Sequence, residues 1–410
     1  MSEHKGALDG IRVLDLTRVL AGPFCGQILG DLGAEVIKVE RPGTGDDGRH
    51  YGFSSIRDQD GGKTLESSFF LAGNRNKASI TVNLSKPEGQ DLVRRLAAQS
   101  DVLVENYKVG DLERYGLDYE TIKALNPGII YCSVTGFGQS GPSARRPGYD
   151  GLFQAQGGMM AVTGVPDGEP GAGPLKAGPS LVDVFTGHNA AIAVLAAIVH
   201  RQKTGRGQYI DVALLDCAVA MVSHIMQDYL ISGVAPPRLG NGGNGGGPAD
   251  LLTCRDGVIY ITAGTEEHWV RLCGLMQRPD LQTDPRFDTN PKRGVNRSQL
   301  IAIINDWSRN WAVGDLLAAL DGIGVPAARY NELKDVFEDP QVRHRGLKVT
   351  VPHPVSGSVD LIGSPLAHMS DTPVAFKAPP TLGQHTDMIL KERLGLEAAD
   401  IDRLRSAGVL

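Results

Sequence analysis

Several marks of large functional classes are missing from this chain. Its five cysteines (Cys25, Cys132, Cys217, Cys254 and Cys273) are scattered through 410 residues, with no CxxC pair. That spacing excludes a disulfide frame or a thiolate zinc site and fits free thiols in a reducing cytoplasm. The ten histidines form no HExxH or similar ladder, so no metal site is expected. Positive charge is not in excess: the net charge is −6, against the usual basic balance of a nucleic-acid binder. No run of 18 consecutive apolar residues occurs, and the opening MSEHKGALDG lacks an apolar signal core. Neither a membrane span nor a secreted protein is expected. A Walker motif is absent too, which removes support for nucleotide hydrolysis.

What is present is ordinary for a globular enzyme, with 41% hydrophobic and 21% charged residues. In the first half, short β-type runs (IRVLDLT, AEVIKVE, KASITVNLS, DVLVENY, GIIYCSVTG) alternate with helical stretches. That alternation predicts an α/β fold with a parallel, doubly wound sheet. VDVFTGHNAAIAVLAAIVHRQKTG reads as a buried helix rich in small residues, ending at Gly205. The Pro/Gly-rich stretch VAPPRLGNGGNGGGPADL then breaks the pattern. We expect a large domain over residues 1–220, a smaller α+β domain over 225–335, and a C-terminal part, 336–410, that returns to the first.

The opening unit imitates a dinucleotide fold, with Glu40 where a ribose-binding acid would sit. Its turn reads AGPFCG rather than GxGxxG, and the formal match GNGGNG precedes a strand instead of a helix. A nicotinamide enzyme is therefore disfavoured. Arg41 and Arg114 lie near strand ends, where open α/β sheets bind ligands and arginines grip phosphates. Asp150 stands in RPGYDGLFQAQGGMMAVTG, among glycines and apolar residues. The segment alone allows a helix-capping Asp or a carboxylate nucleophile.

The strings DLTRVLAGPFCGQILGDLGAEVIKVERPGTGD, NRNKASITVNLSKPEG, VENYKVGDLERYGLDYE, YCSVTGFGQSGP, HRQKTGRGQYIDVALLD and PPTLGQHTDMILKERLG run from near one end of the chain to the other. With them the sequence resembles the class III CoA-transferase family. The resemblance implies a Rossmann-like large domain built from both chain ends. It also implies a homodimer of two interlocked rings, with no nucleic-acid or membrane partner. Coenzyme A enters as an acyl-CoA substrate, with no metal and no redox cofactor. Asp150 inherits the nucleophile's role, through an aspartyl mixed anhydride and then an aspartyl-CoA thioester.

The same resemblance assigns CoA contacts to Leu20, Ala21, Arg41, Val82, Asn83, Leu84, Ser85, Asn106, Tyr107, Lys108, Arg114, Thr135, Gly136, Phe137 and Gly138. It makes Gly245, Gly246 and Gly247 an active-site loop. Within this superfamily the alternative is an α-methylacyl-CoA racemase. That branch uses a His where this chain has Tyr149, together with a carboxylate matched by Asp183; a Tyr is a poor base near neutrality. Tyr149 favours transfer, and Asp183 is expected to be structural. The chain looks closer to the dicarboxylate-using members than to the oxalate-specific ones, which implies succinyl-CoA as donor and a small dicarboxylic acid as acceptor. Arg75, Arg145, Arg146 and Lys176 are candidates for the acceptor's distal carboxylate.

Overall fold

The computed structural model describes residues 6–243 and 246–410. It divides the chain into two compact bodies, residues 1–159, 176–234 and 341–410 in one and 160–175 with 235–340 in the other. Two limits differ from the sequence reading. Residues 160–175 join the smaller body, and its main segment runs from 235 to 340 rather than 225 to 335.

The larger body is organised by a parallel sheet. Its strands are β1 (Arg12–Asp15), β2 (Glu35–Glu40), β3 (Lys77–Thr81), β4 (Val102–Glu105), β5 (Ile130–Thr135) and β6 (Gln208–Ala213), in the order 6-5-4-1-2-3. Every neighbouring pair is parallel. Alternation along each strand sends side chains to two separate cores. Val13, Val102 and Val104 pack on one face with α1 (Ala21–Asp31) and α4 (Leu181–Thr204). Leu14, Leu103 and Tyr131 pack on the other with α2 (Pro87–Ala97). Because both faces are covered, β4 and β5 are buried along their whole length.

Small residues let α1 and α4 approach closely. A Cβ on Gly187 would lie 2.6 Å from the Ala21 carbonyl oxygen and 2.7 Å from Phe24 Cβ. Helix α4 ends at Gly205, whose φ of +72° is open to glycine. By length and composition both α4 and α5 (Leu214–Ser232) are apolar enough to cross a membrane, at mean hydropathy 1.7 and 1.3. The expectation from unbroken apolar runs missed them because isolated polar residues interrupt each helix. Helix α4 packs in the core of this body, whereas α5 leaves Tyr229, Leu230 and Ile231 exposed.

The C-terminal stretch pairs with the β3 edge. His385 N donates to Ser79 O at 2.9 Å, Thr81 N to Thr386 Oγ1 at 3.0 Å, and Asn83 N to Val409 O at 2.8 Å.

The smaller body has its own antiparallel sheet of β7 (Ala249–Cys254), β8 (Gly257–Thr262) and β9 (Ala327–Arg329). Helices bring Trp269, Leu300, Ile304 and Leu316 against it. Arg293 is fully buried there, satisfied by the carbonyls of Gly247 and Phe287 and by Glu266.

Candidate active site

In an open parallel sheet, ligands collect at the carboxyl ends of strands where the winding reverses. Here that point lies between β1 and β4. The turn after β1 (Arg18, Val19, Leu20, Ala21) and the segment after β4 (Asn106, Tyr107, Lys108, Val109) line a cleft of about 210 Å³. Thr135, Gly136, Arg145, Arg146, Tyr149 and Asp183 complete it. A second cleft, of about 420 Å³, is lined by Arg41, Val82, Asn83, Leu84, Ser85 and Tyr115. Arg18 and Tyr107 line both, and the Arg18 guanidinium lies 4.6 Å from the Tyr107 ring centroid. Two clefts sharing a cationic wall suit a long, anionic ligand better than a compact one.

Most of the expected CoA residues line these clefts; three do not. Arg114 is spent on Asp111 at 2.8 Å. Phe137 stacks edge-on against Phe153, and Gly138 N is turned to Thr135 Oγ1 at 3.1 Å. Gly246 and Gly247 border a cavity of the smaller body with Asn290 and Arg297. There Gly247 N donates to Asn290 Oδ1 at 2.8 Å. Gly245 lies outside the described residues.

The two aspartates are placed differently from one another. Asp150 is 6% exposed and does not line the cleft. Its Oδ2 accepts from the backbone N–H groups of Val182 and Asp183 at 2.8 and 3.2 Å, and Oδ1 accepts from Gln154 Nε2 at 2.6 Å. It opens its own short helix, α3 (Asp150–Gln156), but caps α4, thirty-two residues on, where the N-cap Ser180 supplies no side-chain bond. Through these bonds Asp150 satisfies backbone donors at the start of α4.

Asp183, expected to be structural, lines the cleft instead, and among the described residues no donor hydrogen-bonds its carboxylate. Burial, reinforced by the Asp150 charge behind it, pushes its pKa up to about 7. A more basic carboxylate is a better nucleophile. The signal missed in the sequence is the placement of Asp183 in the first turn of a long helix beside a capping carboxylate.

The four distal-carboxylate candidates separate cleanly. Arg75 is buried and forked onto Asp31 at 2.8 and 2.5 Å. Lys176 Nζ donates to the carbonyls of Ala177 and Gly178. Arg145 and Arg146 line the cleft that holds Asp183, as does Arg18, which sequence reasoning passed over. Among the described residues no group of three His, Cys, Asp or Glu could hold a metal ion.

Comparison with known proteins points the same way as the cleft. The model of CoA-transferase family III matches residues 8–386. The chain is 42% identical to a succinate–glutarate CoA-transferase of Agrobacterium fabrum, over 96% of this chain and 97% of that relative. It is 41% identical to the human succinyl-CoA:glutarate CoA-transferase, over 98% and 90%. Among solved structures, a CAIB/BAIF family protein from Brucella suis superposes with a TM-score of 0.85. Sequence identity there is 42%, over 95% of this chain and all of that one.

Proposed function

We propose, for a chain that belongs to CoA-transferase family III and is a CoA-transferase, that Asp183 rather than Asp150 is the nucleophile. The carrying observation is that Asp183 alone of the pair faces the cleft with its carboxylate unengaged. An Asp183 oxygen attacks the thioester carbonyl, the C–S bond breaks, and CoA leaves as the thiolate. The thiolate attacks the aspartyl carbonyl of the resulting anhydride, releasing the first carboxylate and leaving CoA on Asp183. The acceptor carboxylate then displaces CoA through a second anhydride. Attack of the thiolate on its acyl carbonyl gives the new acyl-CoA and restores Asp183. Thioester and anhydride are exchanged throughout, so the steps balance without an oxidant.

The donor is succinyl-CoA and the acceptor a small dicarboxylic acid. The names of the relatives support this, and so do Arg145 and Arg146 on the cleft wall, since a guanidinium fork matches a carboxylate. The arginines Arg18 and Arg41 bind the anionic length of CoA. Tyr149 lines the cleft where the racemase reading needs a His, and that reading is not favoured.

The working form is a cytoplasmic homodimer with no membrane or nucleic-acid partner. Ile192, Leu230, Ile231 and Val234 are more than 60% exposed, a cost that a partner subunit removes. Sedimentation should give twice the monomer mass; a monomer at micromolar concentration would reject the dimer.

CoA exchange from succinyl-CoA to a panel of acids, with mass spectrometry of the protein, tests the whole reading. A CoA-sized adduct on wild type and on Asp150→Asn, but absent from Asp183→Asn, is expected. An adduct that survives Asp183→Asn and vanishes with Asp150→Asn would return the nucleophile to Asp150.

A further inference from the structure

The turn after β1 is held in a shape that its own sequence resists. Val19 has a φ of +72°, a region that steric crowding closes to a β-branched side chain. Backbone bonds alone do not hold it. Thr17 donates from N and Oγ1 to Asp15 Oδ1 at 2.8 and 2.5 Å. Arg18 is clasped at both backbone ends by Asn106, through Oδ1 at 2.9 Å and Nδ2 at 2.7 Å. Val19 N donates to Asp46 Oδ1 at 2.9 Å.

Behind this contact sits a buried ion pair. Asp46 Oδ2 meets Lys38 Nζ at 2.8 Å, with both side chains no more than 1% exposed. Lys38 Nζ donates as well to Thr17 O at 2.7 Å. Opposite charges hold both groups ionised, pushing the Lys38 pKa up and the Asp46 pKa down. Asp46 Oδ1 also accepts from Gly48 N at 2.8 Å, which fixes its carboxylate plane. Burying such a pair is costly, so its stability value alone explains it poorly. The residue it restrains is flanked by Arg18, Leu20 and Ala21, which all line the cleft of Asp183.

We infer that Asp46, locked by Lys38, is a positioning residue for acyl-CoA: it holds Val19 in the left-handed conformation and so fixes Arg18, Leu20 and Ala21 on the cleft wall. The inference rests on the CoA-transferase reading of that cleft. Its test therefore measures CoA binding by calorimetry as well as succinyl-CoA transfer.

Glycine adopts φ near +70° without strain, which makes the contact testable by a double-mutant cycle. Asp46→Asn is compared with its parent in the Val19 background and again in the Val19→Gly background. With Val19 present, the substitution should weaken CoA binding tenfold or more and raise KM for succinyl-CoA, while kcat changes less than threefold. In the Val19→Gly background the same substitution should cost threefold or less. Equal losses in both backgrounds, or a lowered melting temperature with unchanged CoA affinity, would overturn the inference. Should Asp46→Asn fail to fold, Lys38→Gln takes its place in the cycle with the same two expectations. Wild type that binds CoA but transfers none would count against the transferase reading instead.

Discussion

The Asp150 carboxylate accepts the backbone N–H of Asp183 at 3.2 Å, so one aspartate caps the helix on which the other is carried. Its charge thus lies directly behind the Asp183 side chain and helps to keep that side chain basic.

The pH dependence of transfer should report this arrangement. With an Asp183 pKa of about 7, the rate should fall about tenfold per unit on the acid side, since only the ionised carboxylate attacks. Removing the neighbouring charge by Asp150→Asn lowers that pKa, so the acid limb should move to lower pH. A limb that stays in place would show that Asp150 does not act on Asp183 electrostatically.

Stability should carry the opposite signature. The folded-state pKa of Asp183 is raised above its ordinary 3.8, so the native state binds more protons between about pH 4 and 7. The contribution is present below pH 4 and lost as pH rises through 7. Asp183→Asn, which cannot ionise, should match wild type at pH 4 and melt a few degrees higher at pH 8. Thermal melts at the two pH values check this.

Acceptor choice should depend on Arg145. Arg145→Ala is expected to raise KM about 10- to 100-fold for a dicarboxylic acceptor through loss of a charge-assisted fork. A monocarboxylic acid of equal length should be little affected. Equal losses for both acids would move the distal carboxylate elsewhere on the cleft wall.

Against the end of β1 and the start of α1, Lys77 Nζ is enclosed by Asp15 Oδ2 at 2.8 Å, Asn74 Oδ1 at 2.9 Å and the Pro23 carbonyl at 2.8 Å. Asp15→Ala strands that buried ammonium and also frees Thr17. Urea unfolding should show a loss of about 3–5 kcal/mol, the usual cost of an orphaned buried charge.

Close packing of α1 on α4 should be equally exacting. Gly187→Ala puts a methyl within 2.6 Å of the Ala21 carbonyl, and overpacking of this kind costs about 1–3 kcal/mol. Because Ala21 lines the cleft, CoA affinity should fall with stability. An Ala190→Gly control, elsewhere on the same helix, should lower stability alone.

The sequence by itself determined the architecture. Alternating apolar runs and helical stretches dictate strands covered on both faces, and such strands assemble as a parallel sheet with ligands at its carboxyl edge. The family motifs likewise brought Leu20, Asn106, Thr135 and Arg41 to the clefts, because each ends or follows a strand whose end the local pattern already marks. Tertiary structure alone decided which aspartate lines the cleft. Asp150 lies between Tyr149 and Gly151, and Asp183 between Val182 and Val184. Neither setting marks an orientation, and only the meeting of α3 with the start of α4 engages Asp150 and leaves Asp183 on the cleft. The left-handed Val19 was hidden for the same reason. Local propensity argues against that conformation, and the ion pair that stabilises it joins β2 to a loop some thirty residues from the turn it shapes.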